Sequence, residues 1–338
     1  MLNRRQIHTL LLIRNREGNM LSQIPPEIVR EISEFGQDPN GDAATLLHHV
    51  AYGEEEKAEK MLKANPELLL QQVSHVVTPS GLTIKYVTPY ECALGGGDPE
   101  MAAMMTPYFA KLGDGEKEQV AQYERYRPHI EAMLKQEPYY LSWLIDIIKQ
   151  SSAQDVTAAL NKNMEHESVL RDALIQFRHD FKPGVMKKPG MHFKYKDLIH
   201  AFDIYDREFD HLANGNNYDK CRLFCRQVIG YEMRNLPARD RQIFAQSLYN
   251  VVNGEKPSRS CEFKNDKGHY FPVASGDDSL SGLGFDFYVD IFGPGDGCNA
   301  SCAARRRSFT KLISSKNFSL AELMQPHPRQ KTPECVIC

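Results

Sequence analysis

The 338-residue sequence has a single tryptophan, no excess of basic charge and no long apolar run. With 41 Lys+Arg against 44 Asp+Glu the formal net charge is -3, so no global positive field exists to hold phosphate backbones, and no nucleic-acid partner is expected. The longest apolar stretches, Leu10 to Ile13 and the interrupted Leu141 to Ile148, fall far short of the roughly 20 residues that span a bilayer. Arg14 and Arg16 end the first stretch too early for a secretory signal, so any export is expected to follow a non-Sec route. Eight cysteines form no C-x-x-C pair: Cys221/Cys225 and Cys298/Cys302 are both C-x-x-x-C, which argues for reduced thiols and against structural zinc. What remains is an ordinary globular composition, 41% hydrophobic, in a chain long enough for about two folding units.

Behind Pro25 and Pro26, Ile24, Ile28 and Ile32 recur every fourth residue and predict a helix with one apolar stripe. The turn formers from Gly36 to Asp42 end it, setting off residues 1–38 as a first segment. Next come two similar blocks, Thr45-Leu46-Leu47-His48-His49-Val50 and Thr88-Pro89-Tyr90-Glu91-Cys92-Ala93. Each precedes a second helical stretch, Glu54 to Leu62 and Pro99 to Phe109, across Gly53 or Gly97. The blocks resemble the ankyrin signature T-P-L-H-x-A, which implies two ankyrin-like repeats over 42–112. By that resemblance Thr45 and Thr88 start helices, and the His48, Leu and Ala positions pack between repeats as scaffold. Thr88 follows Thr45 by 43 residues, against about 33 in a standard unit. The surplus, Val73 to Val77 and Leu82 to Val87 around Thr78-Pro79-Ser80-Gly81, predicts an elongated β-hairpin finger.

Two repeats do not bury enough surface alone, so residues 113–150 are expected to cap them, with Val120, Tyr123, Tyr126, Ile130, Met133, Leu134, Tyr140, Leu144, Ile147 and Ile148 at helical spacings. Over 151–325 the pattern predicts a helical domain with helices near 156–163, 167–181, 194–213, 217–234 and 238–252. A small β appendage follows, with Glu262-Phe263 and His269-Tyr270-Phe271 as strands and a further apolar run at Phe285 to Phe292. Ser319 with Glu322 reads as the capping box of a short last helix. The prolines of 326–338 predict a solvated tail. The expected fold class is mainly α: ankyrin-like helical repeats with an extended hairpin finger, then a helical bundle with a β appendage.

The last four residues, Cys335-Val336-Ile337-Cys338, fit the prenylation motif C-a-a-X: an accessible thiol nucleophile, an apolar pair for the enzyme pocket and a terminal carboxylate. Cys335 is the expected site of a prenyl lipid, farnesyl before geranylgeranyl, added by a host prenyltransferase. Apart from this lipid no cofactor or metal is expected. Near the N-terminus Ile24, Pro25, Glu27, Ile28 and Ile32 match the start of an F-box, although the turn formers at Gly36 cut the pattern short. By that resemblance the segment docks on Skp1 and so on a cullin ubiquitin ligase.

An F-box-like start, ankyrin-like repeats and a C-a-a-X end are together similar to the ankyrin effectors that Legionella-type intracellular bacteria deliver into host cells. The resemblance implies an adaptor, peripheral on host membranes, holding an unidentified protein on its ankyrin surface. The alternative is a membrane-targeted enzyme with its site in 151–325. Its candidates are the cluster His200, Asp203, Asp206 and Asp210 at helical spacing, or Cys225 or Cys261 paired with His192, His211 or His269. An acidic solvated face opposite the aromatic stripe Phe202, Tyr205 and Phe209 explains the cluster as well. No spacing selects a catalytic pair, and Gly95-Gly96-Gly97 lacks the Lys-Ser/Thr of a P-loop.

Overall fold

The computed structural model describes residues 41–163, 165–213, 217–245, 248–254, 256–259, 262–264, 270–272 and 298–324. The F-box-like residues Ile24, Pro25, Glu27, Ile28 and Ile32, the lipidation residues Cys335, Val336, Ile337 and Cys338, Cys261, His269 and the 285–292 run lie outside these residues. The described chain is mainly helical, with a three-stranded sheet and a two-stranded ribbon.

Two helix pairs open it: α1 (Gly41–Ala51) with α2 (Glu55–Ala64), and α3 (Pro89–Gly95) with α4 (Pro99–Phe109). Thr88 starts α3 through a full capping box with Glu91, behind Pro89 at the first helical position. Thr45 does not start α1. It lies in the second turn and donates its hydroxyl back to the Gly41 carbonyl at 2.7 Å. Leu46 follows it where Thr88 has proline, so nothing stops the helix from extending upstream, with Asp42 at its positive end. His48 is likewise not interior: it is exposed and stacks on Tyr52 at 4.1 Å, while Leu46 and Leu47 take the buried positions.

Between the pairs, β1 (Val73–Val77) and β2 (Thr83–Val87) form an antiparallel hairpin, which β3 (Val185–Met186) joins in parallel along β2. In a regular strand residues three apart face opposite sides, yet Ile84 and Val87 are both buried. Tyr86 resolves the parity: its φ of 55° is left-handed and turns the strand within one residue.

Helix α5 (Gly115–Ala132) closes the pairs. Gln122 accepts the Thr88 hydroxyl at 2.6 Å in the interior, and Arg125 reaches Glu91 at 2.7 Å. Tyr123, Tyr126 and Ile130 are buried as expected, whereas Val120 and Tyr140 face solvent. The chain continues through α6 (Ser142–Gln150), α7 (Ala153–Leu160), α8 (Val169–Asp180) and α9 (Tyr195–Leu212). The helix expected over 217–234 is interrupted: α10 (Asp219–Phe224) leads into a π-turn at Cys225–Ile229 before α11 (Gly230–Met233). Then come α12 (Ala238–Ala245), α13 (Leu248–Val252) and the ribbon β4 (Glu262–Lys264) with β5 (Tyr270–Pro272), Phe263 opposite Phe271.

The last element is not a short helix begun at Ser319. It is α14 (Cys298–Glu322), with Ser319 inside it. Its Phe309, Leu312, Ile313, Lys316 and Leu320 form one buried stripe at helical spacing. α14 runs along α9 and also touches α4, α5 and α13. Tyr195, Phe202 and Phe244 gather around Phe309 at centroid distances of 6.1, 6.4 and 5.4 Å. One continuous hydrophobic core results, from Ala43 to Leu320.

Candidate functional site: a buried charged junction

The sequence Arg239-Asp240-Arg241-Gln242 at the start of α12 reads as surface, yet all four residues are at most 5% exposed. Buried charges need partners, and these arrive from far along the chain. Asp240 accepts from Lys316 of α14 at 2.5 Å and from the Tyr195 hydroxyl of α9 at 2.8 Å. The same ammonium lies 3.2 Å from that hydroxyl, and burial with the Asp240 charge holds the tyrosine proton on well above its ordinary range. Arg239 meets Glu100 of α4 at 2.5 Å. Arg259 forks onto Asp98 and also reaches Glu55 at 2.5 Å and Glu100 at 3.2 Å. Burial opposes the Arg259 charge, but Asp98, Glu55 and Glu100 outweigh it and raise its pKa.

Two glycine turns admit this network. Gly53 and Gly97, after α1 and α3, have φ of 69° and 62°, in the region that favours glycine. A Cβ at Gly53 would stand 2.9 Å from Gln242, and one at Gly97 would stand 2.9 Å from the Tyr195 hydroxyl. Beside the junction a groove of about 540 Å³ has Ile243, Val251, Leu312 and Leu323 as apolar walls and Lys256 and Lys311 at its rim.

A smaller cleft brings together Cys92, Asp98 and His192. Burial pushes the Cys92 thiol up to about 12 and the His192 imidazolium down to about 3, so both are neutral near pH 7. The His192 Nε2 is sealed and has no hydrogen-bond partner, and Asp98 is committed to Arg259 and to the Met101 amide. The trio therefore lacks the thiolate and the aligned base of a nucleophilic site. The ring instead fills the space beside Gly95, where a Cβ would come within 2.3 Å of Nε2.

The other sequence candidates separate. Cys221 and Cys225 are buried free thiols, and His211 is exposed beside Glu208 at 3.7 Å. The face carrying His200, Asp203, Asp206 and Asp210 is not simply solvated: Arg306 of α14 pairs with Asp203 and lies 3.8 Å from Asp206. Phe202 and Tyr205 form the buried stripe behind it. Among the described residues no group of three or more His, Cys, Asp or Glu side chains is placed to hold a metal ion, and no helix is long and apolar enough to cross a membrane.

Sequence reasoning missed the junction, because its charged residues are unremarkable until the fold brings them together. It also missed Glu232, fully buried on α11 with neither carboxylate oxygen hydrogen-bonded. Burial and the Asp197 charge keep that group protonated well above its ordinary range. Comparison with known proteins returns no matching family model, no matching curated protein and no matching solved structure.

Proposed function

We propose that the chain is a protein-interaction adaptor, tethered to host membranes by a prenyl lipid on Cys335, whose hairpin and neighbouring helix pairs hold a partner. In this reading the two pairs are ankyrin-like repeats and the hairpin is their finger. Delivery is by a non-Sec route, and the segment Ile24 to Ile32 recruits Skp1 and a cullin.

The observation that carries the proposal is the outer side of the small sheet. Val77 and Val185 lie in register across Thr83 and are 47% and 55% exposed. Tyr86 is 60% exposed on its left-handed backbone. The core needs that kink, but not a tyrosine at it. Glycine or asparagine would take the conformation for about 1–2 kcal/mol less, so an outward aromatic ring here fits a surface that contacts another protein.

The test is affinity purification of the full-length Cys335→Ser protein from eukaryotic cells. Skp1 and a cullin are expected with it, and both should be lost on adding Pro25→Ala and Ile28→Ala. Recovery of neither, where a control F-box protein captures both, removes the ligase step. Tyr86→Asn should keep Skp1 and lose the partner held by the finger. Membrane fractionation that is unchanged by Cys335→Ser removes the tether.

A further inference from the structure

A second polar cleft, on the opposite side of the helical half from the hairpin sheet's partner surface in sequence and built by other residues, lies between α7 and α8. Its empty space, counted out to the open mouth, is about 350 Å³, and its lining includes Lys162, His166, Ser168, Arg171, Arg178 and Gln227. The acid in it, Asp155, is already engaged: one oxygen holds His166 at 2.7 Å and the other the Ser152 hydroxyl at 2.7 Å.

The two arginines are not neutralised in the same way. Arg178 gives one guanidinium N–H to the neutral Gln227 side chain and meets no carboxylate, and its Nε is buried without a partner. Burial lowers its pKa, and the Arg234 charge adds to the effect. Arg171 is also buried at Nε without a partner, and its one ion-pair contact is the exposed Asp172 at 3.5 Å. A desolvated guanidinium without a counter-ion is unfavourable, and two in one cleft more so. Arg171 and Arg178 are two turns apart on α8, on one face. Each has a free Nε–H of the kind that, with a neighbouring Nη–H, grips two oxygens of one anion side-on.

We infer that this cleft is a binding site for a phosphate monoester dianion, with Arg171 and Arg178 as its forks. Two cationic forks with one committed acid suit a dianion better than a single carboxylate. The Ser168 hydroxyl caps α8 by accepting from the Arg171 amide at 3.1 Å, so the anion also faces the positive end of a 12-residue helix. The phosphate could belong to a soluble ligand or to a lipid headgroup, and the chemistry of capture is the same for both.

The experiment uses the full chain as Cys335→Ser, melted in zwitterionic buffer with inorganic phosphate or with potassium chloride at equal ionic strength. Phosphate should raise Tm saturably, by roughly 5 °C at a hundredfold excess over Kd, and chloride should not. Arg178→Met should lose the phosphate response while melting no lower than the parent without phosphate, because an uncompensated charge has gone. A purely structural arginine predicts the reverse, a lower Tm in both buffers. Arg178→Lys keeps the charge but loses the fork, and should bind phosphate at least tenfold more weakly by calorimetry. Co-sedimentation with phosphatidylcholine vesicles containing phosphatidic acid, and not with phosphatidylcholine alone, assigns the phosphate to a headgroup if it needs Arg178. A response to dissolved phosphate alone assigns it to a soluble ligand. The inference is overturned if neither phosphate nor phosphatidic acid is bound, or if the Arg171→Gln, Arg178→Met double variant responds like the parent.

Discussion

Replacing Asp240 by alanine would leave the Lys316 ammonium, 4% exposed, without its counter-ion and the Tyr195 hydroxyl without its acceptor. Breaking a buried pair from one side costs about 3–5 kcal/mol, and the lost neutral hydrogen bond adds about 1 kcal/mol. The expected loss is therefore about 4–6 kcal/mol. Removing both charges is a different perturbation: Asp240→Leu with Lys316→Met replaces the pair by apolar atoms of similar bulk and should fall within about 2 kcal/mol of the parent. Urea unfolding followed by far-ultraviolet circular dichroism, with slopes compared across the set, gives each value and the coupling between the sites. A loss below about 1 kcal/mol for Asp240→Ala would show the junction to be hydrated, and a double variant worse than either single one would show that the ion pair itself is what the core requires.

Gly97→Ala should destabilise by about 1–2 kcal/mol or more, since the left-handed backbone and the 2.9 Å approach to the Tyr195 hydroxyl both oppose a Cβ; a neutral result in urea would mean the turn moves freely. Thr88→Ala removes the capping box and leaves Gln122 without its donor, for a loss of about 1–3 kcal/mol in the same assay. Glu232 gives a prediction in pH. Its folded pKa is raised, so its contribution is fully present below the unfolded value near 4.3 and is lost as pH rises toward the folded pKa, with a slope of up to about 1.4 kcal/mol per unit. Glu232→Gln should remove that slope between pH 5 and 8, and an unchanged slope in paired urea titrations would place the proton elsewhere.

The helix pairs, the hairpin and the ribbon were legible because local chemistry decides them: Thr88 with Pro89 and Glu91, the turn Thr78 to Gly81, and the alternation around Phe263 and Phe271. Thr45 misled because the same residue type without a following proline can sit inside a helix. α14 was underestimated because Lys316 interrupts its apolar stripe, and Ser319 with Glu322 imitates a start that the preceding turns override. The junction was illegible for a deeper reason. Arginine, aspartate and glutamine are ordinarily exposed, and nothing near Arg239 to Gln242 in sequence announces that Glu55, Asp98, Glu100, Tyr195, Arg259 and Lys316 will meet them. The π-turn at Cys225–Ile229 escaped similarly, since its residues fit an unbroken helix equally well.

The position of Lys316 has a consequence for how the protein can be made. The acid it neutralises and the Gly97 turn it packs against are synthesised earlier, so during N-to-C synthesis Asp240 has no ammonium to meet until α14 is complete. Such pairings between distant stretches of chain also close slowly. Shortened versions ending before α14 should therefore be dependent on chaperones or prone to aggregate, rather than behave as smaller independent domains, and α14 is the element that completes the interior on leaving the ribosome.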